Sequence, residues 1–440
     1  MTPEEQAPAT SDADRPRAAA SAYAILGVVL LGVLLATTYG KPGRQYLESS
    51  LRHLELVLLV ALALYAATRH KRRVPAALVT TAIGLLVLDL VDFWLYSFPV
   101  GVLVAGTSLY LRYFLLAYIV YMVPFSERDT RKLLRILAWF LLLLTVLVAI
   151  QFASGRWLAW FMQGNAVVHR ASLRRASGVF PYPNEMALFA GAWFFLYFSR
   201  RRLSRLYLLV SVALVSDVFM SLTRWFAFVL LALVILYLLR TRHGVLKTVV
   251  ISGLGVLLLV QFSGTAGRLF EDMPTYSTGS SPRQFYLRTG WNVFKQNPIT
   301  GIGFDRFGTT LPSAYYNPEY RHGFHFGMTT TDSLLARFLP ELGVLGVALL
   351  FGFLAIVLTR GVVWGSREPV ARGYVYCMFF VALSAASSPE AFFGPHAMPF
   401  WISVGLILKE TAKREPVTLQ AGTLPARALT KSPTLGAGPS

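Results

Sequence analysis

Long apolar runs separated by short polar breaks occupy the chain from residue 22 to residue 409. They fall at 22–39, 54–68, 75–96, 101–124, 133–152, 184–199, 204–222, 225–240, 245–263, 333–359, 372–386 and 398–409. Most are long enough, as helices, to cross a hydrocarbon core about 30 Å thick. The pattern predicts an all-α polytopic membrane protein with about 12 transmembrane helices. The longest polar stretch separates the ninth run from the tenth. Within it Phe285, Leu287, Trp291 and Phe294 recur at helical spacing, which predicts an amphipathic helix over 284–296 lying at the interface. Asn297-Pro298 ends that helix and Gly301-Ile302-Gly303 follows as a tight connection. Pro340, inside the tenth run, predicts a kink.

Composition narrows the class. Of 440 residues, 55% are hydrophobic and 14% charged, and mean hydropathy is +0.54. A soluble chain carries roughly 25% charged residues. A soluble enzyme, a secreted disulfide scaffold and a DNA-binding domain are excluded, as is a membrane β-barrel with its short alternating strands. The single cysteine, Cys377, lies in an apolar run and forms no intrachain disulfide. Residues 1–20 and 411–440 read as disordered cytoplasmic tails, flanking one transmembrane domain over 21–410. The first apolar run lacks a small-residue cleavage motif and reads as an anchor rather than a removed signal.

Charge sets the orientation. Forty-one Lys and Arg against 22 Asp and Glu give +19, which in a soluble chain would point to nucleic acid. Here the basic residues cluster in the connections holding Arg69–Arg73, Arg128–Arg135, Arg200–Arg205, Arg240–Lys247 and Arg360–Arg372. Each joins an even-numbered run to an odd one, so a single assignment makes all five cytoplasmic, with both termini; no nucleic-acid partner is expected. Two segments, about 153–183 and 264–332, then face the periplasm. They nonetheless carry Arg156, His169, Arg170, Arg174 and Arg175, and then Arg268, Arg283, Arg288, Lys295, Arg306, Arg321, His322 and His325. Arg224 joins them at the outer end of the seventh run. The positive-inside tendency gives no reason for these residues, and together they point to an anionic ligand handled at the outer face.

Three local patterns lie in this outer region. One runs Arg175-Ala-Ser-Gly178-Val-Phe-Pro-Tyr-Pro183-Asn184-Glu-Met-Ala187. The second joins Pro282-Arg283 through a helix to Asn297-Pro298-Ile-Thr-Gly301-Ile-Gly303. The third is Thr331-Asp332-Ser333-Leu-Leu-Ala-Arg337-Phe-Leu-Pro-Glu341-Leu-Gly343-Val-Leu-Gly346. With Thr223-Arg224, and over residues of about 170–350, this set resembles the bacterial O-antigen ligase/polymerase superfamily, the Wzy-type membrane glycosyltransferases.

The resemblance implies an enzyme of the bacterial inner membrane with its active site facing the periplasm. It implies an undecaprenyl-diphosphate-linked glycan as donor, and a glycan or lipid A-core as acceptor. Membrane lipid and other polysaccharide-assembly membrane proteins complete the expected partners, with no cofactor. Arg175, Arg224 and Arg283 match family arginines that hold the diphosphate; Arg174 and Arg288 are further candidates. Family ligases carry His-Asn where this chain has Asp332-Ser333, a departure that tilts the reading toward a polymerase.

Chemistry supports the same division of labour. A glycan linked through C1 to a lipid diphosphate is already activated, and guanidinium groups stabilise the leaving diphosphate by charge-assisted bonds without a metal. A base must take the acceptor's proton; Asp332 is the first candidate, with His322 and His325 as rivals. Each residue has a simpler reading beside this one. Asp332 stands where a helix N-cap would. Glu341 has Arg337 one turn before it, an i,i+4 pair that is sufficient structural explanation. Gly178, Gly301 and Gly303 serve as turn formers. Asp89 and Asp92 line a cavity or pair with Arg112. A transporter or flippase is a second class of reading, although no internal repeat of the kind transporters show is found. A scaffold without chemistry is a third.

Overall fold

The computed structural model describes residues 23–31, 45–69, 73–96, 100–124, 127–154, 169–170, 173–180, 182–201, 204–240, 282–304, 306–307, 334–366, 368–388 and 391–412. Residues 23–31 form α1. It is followed by α2 (Gln45–Arg69), α3 (Ala76–Tyr96), α4 (Val100–Met122), α5 (Glu127–Ser154), α6 (Pro183–Phe198), α7 (Arg205–Met220) and α8 (Arg224–Leu239). After these come α9 (Pro282–Gln296), α10 (Leu334–Gly365), α11 (Pro369–Ser384) and α12 (Met398–Ala412). The one ladder among the described residues pairs His169–Arg170 with Leu173–Arg174, antiparallel. The regular structure of the described residues is otherwise helical. The ninth predicted run, the predicted N-terminal tail and residues 413–440 lie outside the described residues, while residues 411 and 412 of the predicted C-terminal tail end α12.

Among the described residues, three helices are long and apolar enough to cross a membrane: Ala76–Tyr96, Arg128–Ser154 and Ala336–Gly365. Their faces are arranged for an apolar surround. On α3 the buried positions are Leu78, Thr81, Leu85, Asp89 and Asp92, one helical stripe, while Ile83, Val87, Leu90 and Trp94 are exposed. Both aspartates are buried while large apolar side chains are exposed, the reverse of a soluble helix. Leu143 and Val146 on α5 and Leu208 and Val212 on α7 are exposed in the same way. The centre belongs to α6, which is apolar all round and buried at almost every position. It packs against α7 and α11; α4 packs against α12 and α2, and α10 against α3, α9 and α11.

Local signals explain several boundaries. Pro183 and Pro369 open α6 and α11 at the first turn, where a missing N–H costs nothing. Ser204 caps α7, its hydroxyl accepting from Leu206 N at 3.2 Å. Helix α2 starts nine residues before its apolar run, its first turns carrying the charged Glu48 and Arg52 that the hydropathy pattern passes over, and Glu55 follows inside the run. Glu55 is buried in an ion pair, 3.1 Å from Arg112. The sequence reading offered Asp89 and Asp92 as partners for Arg112; the structure gives that arginine to Glu55 instead.

Helix ends sort into two groups. Tyr121 Oη donates to Arg73 O (2.7 Å) and Tyr197 Oη to Leu134 O (2.8 Å). Tyr207 Oη donates to Arg131 O, Arg200 bonds Tyr374, and Lys409 Nζ donates to Val123 O at 2.7 Å. These contacts gather four of the five basic connections at one end of the bundle. At the other end Tyr96 bonds Asn297, Arg175 bonds Ser221, and Trp225 Nε1 donates to Leu383 O at 3.0 Å.

The predicted kink in the tenth run is a full break. Gly343, three residues beyond Pro340, has φ 59° and ψ −172°, a conformation held essentially by glycine alone. Across the break the chain pairs with the loop after α9. Ile302 N donates to Pro340 O (2.9 Å) and Gly303 N to Glu341 O (3.0 Å); Val344 N donates to Pro298 O (2.9 Å) and Leu345 N to Ile299 O (3.1 Å). Backbone groups that the interrupted helix frees are thereby satisfied from outside it. A methyl on Gly301 would strike Glu341 O, and one on Gly343 would strike Ile299 O.

The predicted amphipathic helix is present as α9, but its packed face differs. Thr289, Gly290 and Val293 are buried, whereas Leu287 and Trp291 are exposed. Gly290 sits against the Ala336 carbonyl. Close backbone approach, which large side chains forbid, selects the small face for packing.

Candidate functional site

The site is built where α6 begins, α7 ends and α8 begins. Ahead of α6, Gln151 Oε1 accepts from Ser177 N (3.0 Å) and Gly178 N (2.7 Å), pinning a loop in which Gly178 has φ 59°. Ala176 N donates to Met220 O at 3.0 Å. These bonds aim the half-buried Arg175 across the α7–α8 turn. Its Nε donates to Ser221 O at 3.0 Å, and its Nη2 donates to Asn184 Oδ1 at 3.0 Å and Thr223 Oγ1 at 3.2 Å. Thr223 Oγ1 also donates to Asn184 Oδ1 at 3.2 Å.

The turn so gripped is strained. Leu222 has φ 52°, the only positive value at a non-glycine position among the described residues. Left-handed backbone costs a branched residue roughly 1–2 kcal/mol. Arg224 comes two residues later as the first residue of α8 and is half-buried. Arg175 and Arg224 are thus linked through Thr223, which the first arginine bonds and the second follows. The same corner holds Glu185 and His396, both buried, with His396 Nδ1 3.9 Å from Glu185 Oε2.

A second cluster surrounds the break in α10. Glu341 is fully buried. Its Oε1 accepts from Arg337 Nε (3.1 Å) and Phe307 N (3.1 Å), and its Oε2 from Tyr110 Oη (2.8 Å). The expected i,i+4 pair is present, and the carboxylate also ties α4 and the 297–307 loop to α10. Asp89 fixes the loop from α3: Oδ1 accepts from Phe304 N at 3.2 Å and Oδ2 from Thr107 Oγ1 at 2.5 Å. Arg306 lies 3.6 Å from Asp89 and donates to Ile302 O at 2.7 Å. This cluster binds protein to protein.

The remaining candidates divide. Arg283 is the second residue of α9, and exposed Arg288 follows on the same helix. Arg174 closes the ladder that leads into Arg175. The side chains of Arg283 and Arg174, and all of Asp332, His322 and His325, lie outside the described residues.

Four polar residues of the first cluster carried no role in the sequence reading. Asn184 and Glu185 stand inside a quoted pattern, where Pro-Asn-Glu at the mouth of an apolar run was the available signal. Gln151, polar near the end of an apolar run, offered a weaker one. His396 lies beyond the span of the resemblance and gave none.

Residues 214–351 match the O-antigen ligase family model, and no curated protein matches the chain. The match takes in Arg224, Arg283, Arg288, His322, His325 and Asp332, and both sides of the interlocked break in α10. The sequence patterns and this match, which spans residues 214–351, make the chain similar to the O-antigen ligase family over that region.

Proposed function

We propose that the protein is a metal-independent polymerase that joins lipid-linked glycan repeats at the periplasmic face of the bacterial inner membrane. In this reading it crosses the membrane about twelve times with both termini in the cytoplasm. The donor is an undecaprenyl-diphosphate-linked glycan. The acceptor hydroxyl attacks C1 of the donor glycan, the bond between C1 and the diphosphate oxygen breaks, and the diphosphate leaves with its lipid. Asp332 takes the hydroxyl proton. Arg175, Arg224 and Arg283, with Arg174 and Arg288 nearby, stabilise the negative charge on the departing diphosphate.

The observation that carries this reading is the braced turn. Three hydrogen bonds from Arg175 fix the position of Thr223 and Ser221, and Arg224 is presented immediately after them. A site that stabilises a leaving group needs such preorganised cations.

The test replaces Arg224 and Asp332 singly by Ala in cells that make the polysaccharide, with surface glycan resolved on gels. Collapse to single-repeat product with both variants supports the polymerase. Normal amount and chain length with both overturns the assignment. The second reading, a ligase acting on lipid A-core, is favoured by the matched family's description as O-antigen ligase. It predicts that long lipid-linked chains accumulate instead.

A further inference from the structure

The far end of α6 holds a feature the transfer chemistry does not use. Sixteen helical residues separate the Arg175 corner from this end, about 24 Å at 1.5 Å per residue. There a groove opens between α1, α4, α5, α6, α11 and α12, with an apolar wall that includes Ile25, Val29, Leu137, Leu196 and Leu406. No acidic residue lines it. Trp193 contributes a ring to its depth, and Arg200 and Tyr374 stand together in the lining.

Arg200 is only 9% exposed. Its guanidinium donates to Tyr374 Oη and lies 5.3 Å over the same ring. It makes no ion pair with a carboxylate among the described residues. A cation removed from water without a counter-charge is costly. Neutral contacts with one phenol recover part of that cost, since the ring face and the phenol oxygen both attract it. The phenol is also unfinished: its oxygen accepts from Arg200, and its own O–H has no acceptor among the described residues. Two donors, one of them charged, therefore meet at a largely apolar groove whose described lining supplies no anion and, beside Tyr374 itself, only the Thr130 hydroxyl as a side-chain acceptor.

We infer that this groove binds an anionic glycerophospholipid, its phosphate on Arg200 and Tyr374 and an acyl chain along the apolar wall. Charge complementarity selects the headgroup, and the predominance of apolar wall residues, with Thr130 the one other hydroxyl, selects the chain. The setting agrees. The first turns of α5 place exposed Arg128, Arg131, Lys132 and Arg135 at this same end, where basic surface concentrates anionic lipid. A bound lipid would cement α1, α5, α6, α11 and α12 at the end remote from the Arg175 corner.

Trp193 makes the idea measurable. The full chain is reconstituted in phosphatidylcholine vesicles, into which dibrominated phosphatidylglycerol or dibrominated phosphatidylcholine is titrated. The quenching lost on Trp193→Phe isolates the groove from the other tryptophans. Both lipids carry a phosphate, but choline cancels its charge and adds a cation beside Arg200, so phosphatidylglycerol, with net charge −1, should quench that component at about tenfold lower mole fraction than phosphatidylcholine. Arg200→Gln should remove the preference, and Arg200→Lys should keep part of it. Equal quenching by the two lipids in the wild type overturns the proposal, as does a preference that survives in Arg200→Gln. Absence of Trp193 quenching by either lipid, as when a segment of the chain itself fills the groove, also overturns it. The comparison of lipids in the wild type decides the matter even if the Arg200 variants fail to fold.

Discussion

Two arginines near the outer candidates sit in opposite settings. Arg337 faces Glu341, a fully buried carboxylate whose oxygens are also claimed by Tyr110 and the Phe307 amide. Arg175 reaches a backbone carbonyl, an amide oxygen and a hydroxyl. The first arrangement neutralises charge and joins three parts of the chain; it is a fastening. The second spends hydrogen bonds on neutral acceptors while holding a strained turn that ends at a second arginine. Sequence proximity to a family pattern does not separate the two cases. The identity of the described partners does: a carboxylate cancels the charge of Arg337, whereas the bonds of Arg175 to a carbonyl, an amide and a hydroxyl brace a turn.

Disrupting the fastening should cause the largest effect. Gly343→Ala places a methyl against the Ile299 carbonyl in a conformation alanine does not hold. A loss of at least about 3 kcal/mol is expected from strain and the broken pairing. Size-exclusion chromatography in detergent should show loss of the monodisperse species. A monodisperse, heat-stable Gly343→Ala protein would mean that the break is not held by that glycine.

Removing the carboxylate is the next step down. Glu341→Ala takes the carboxylate away from Arg337, Tyr110 and the Phe307 amide, with an expected cost of about 3 kcal/mol. Any fall in transfer activity should track the fall in melting temperature. Activity lost from a normally stable variant would move Glu341 from the fastening to the chemistry.

Arg175→Lys probes the other region. A lysine ammonium cannot span the acceptors that the planar fork reaches together. The lost bonds should cost about 1–2 kcal/mol of stability. Transfer should fall by about a hundredfold, as when one preorganised donor to a leaving oxyanion is removed. Paired thermal melts and glycan gels would separate the two effects, and a variant losing only stability would make Arg175 a second fastening.

What the sequence makes legible follows from how each feature is encoded. Apolar runs encode helices directly, so every predicted run within the described residues has its helix. Pro340 announces a distortion, but its extent depends on Gly343 and on the partner loop after Asn297, which lies tens of residues earlier. Pairing of buried charges is equally non-local: Arg112 meets Glu55, 57 positions away, rather than the aspartates of α3. The packed face of α9 was hidden because bulk suggested burial while the fit required Gly290. For the site, residue types and order pointed to Arg175 and Arg224 together. The brace between them, through Asn184 and Thr223, depends on loop geometry that no spacing rule supplies.

The smallest expected change in stability tests whether the strain at Leu222 serves Arg224. Leu222→Gly removes the cost of left-handed backbone at a branched residue, roughly 1–2 kcal/mol, and adds about 0.5–1 kcal/mol of chain entropy to be lost on folding. The two nearly cancel, so the melting temperature should barely move. The turn, however, would no longer be confined by a side chain, and Arg224 would sample a wider range of positions relative to Arg175. Because a displacement of about 1 Å can cost as much as a hundredfold in rate, transfer should weaken measurably while stability stays constant. Unchanged transfer by Leu222→Gly would show that the Arg175 brace alone positions the second arginine, and that the strain is an incidental consequence of closing the turn between α7 and α8.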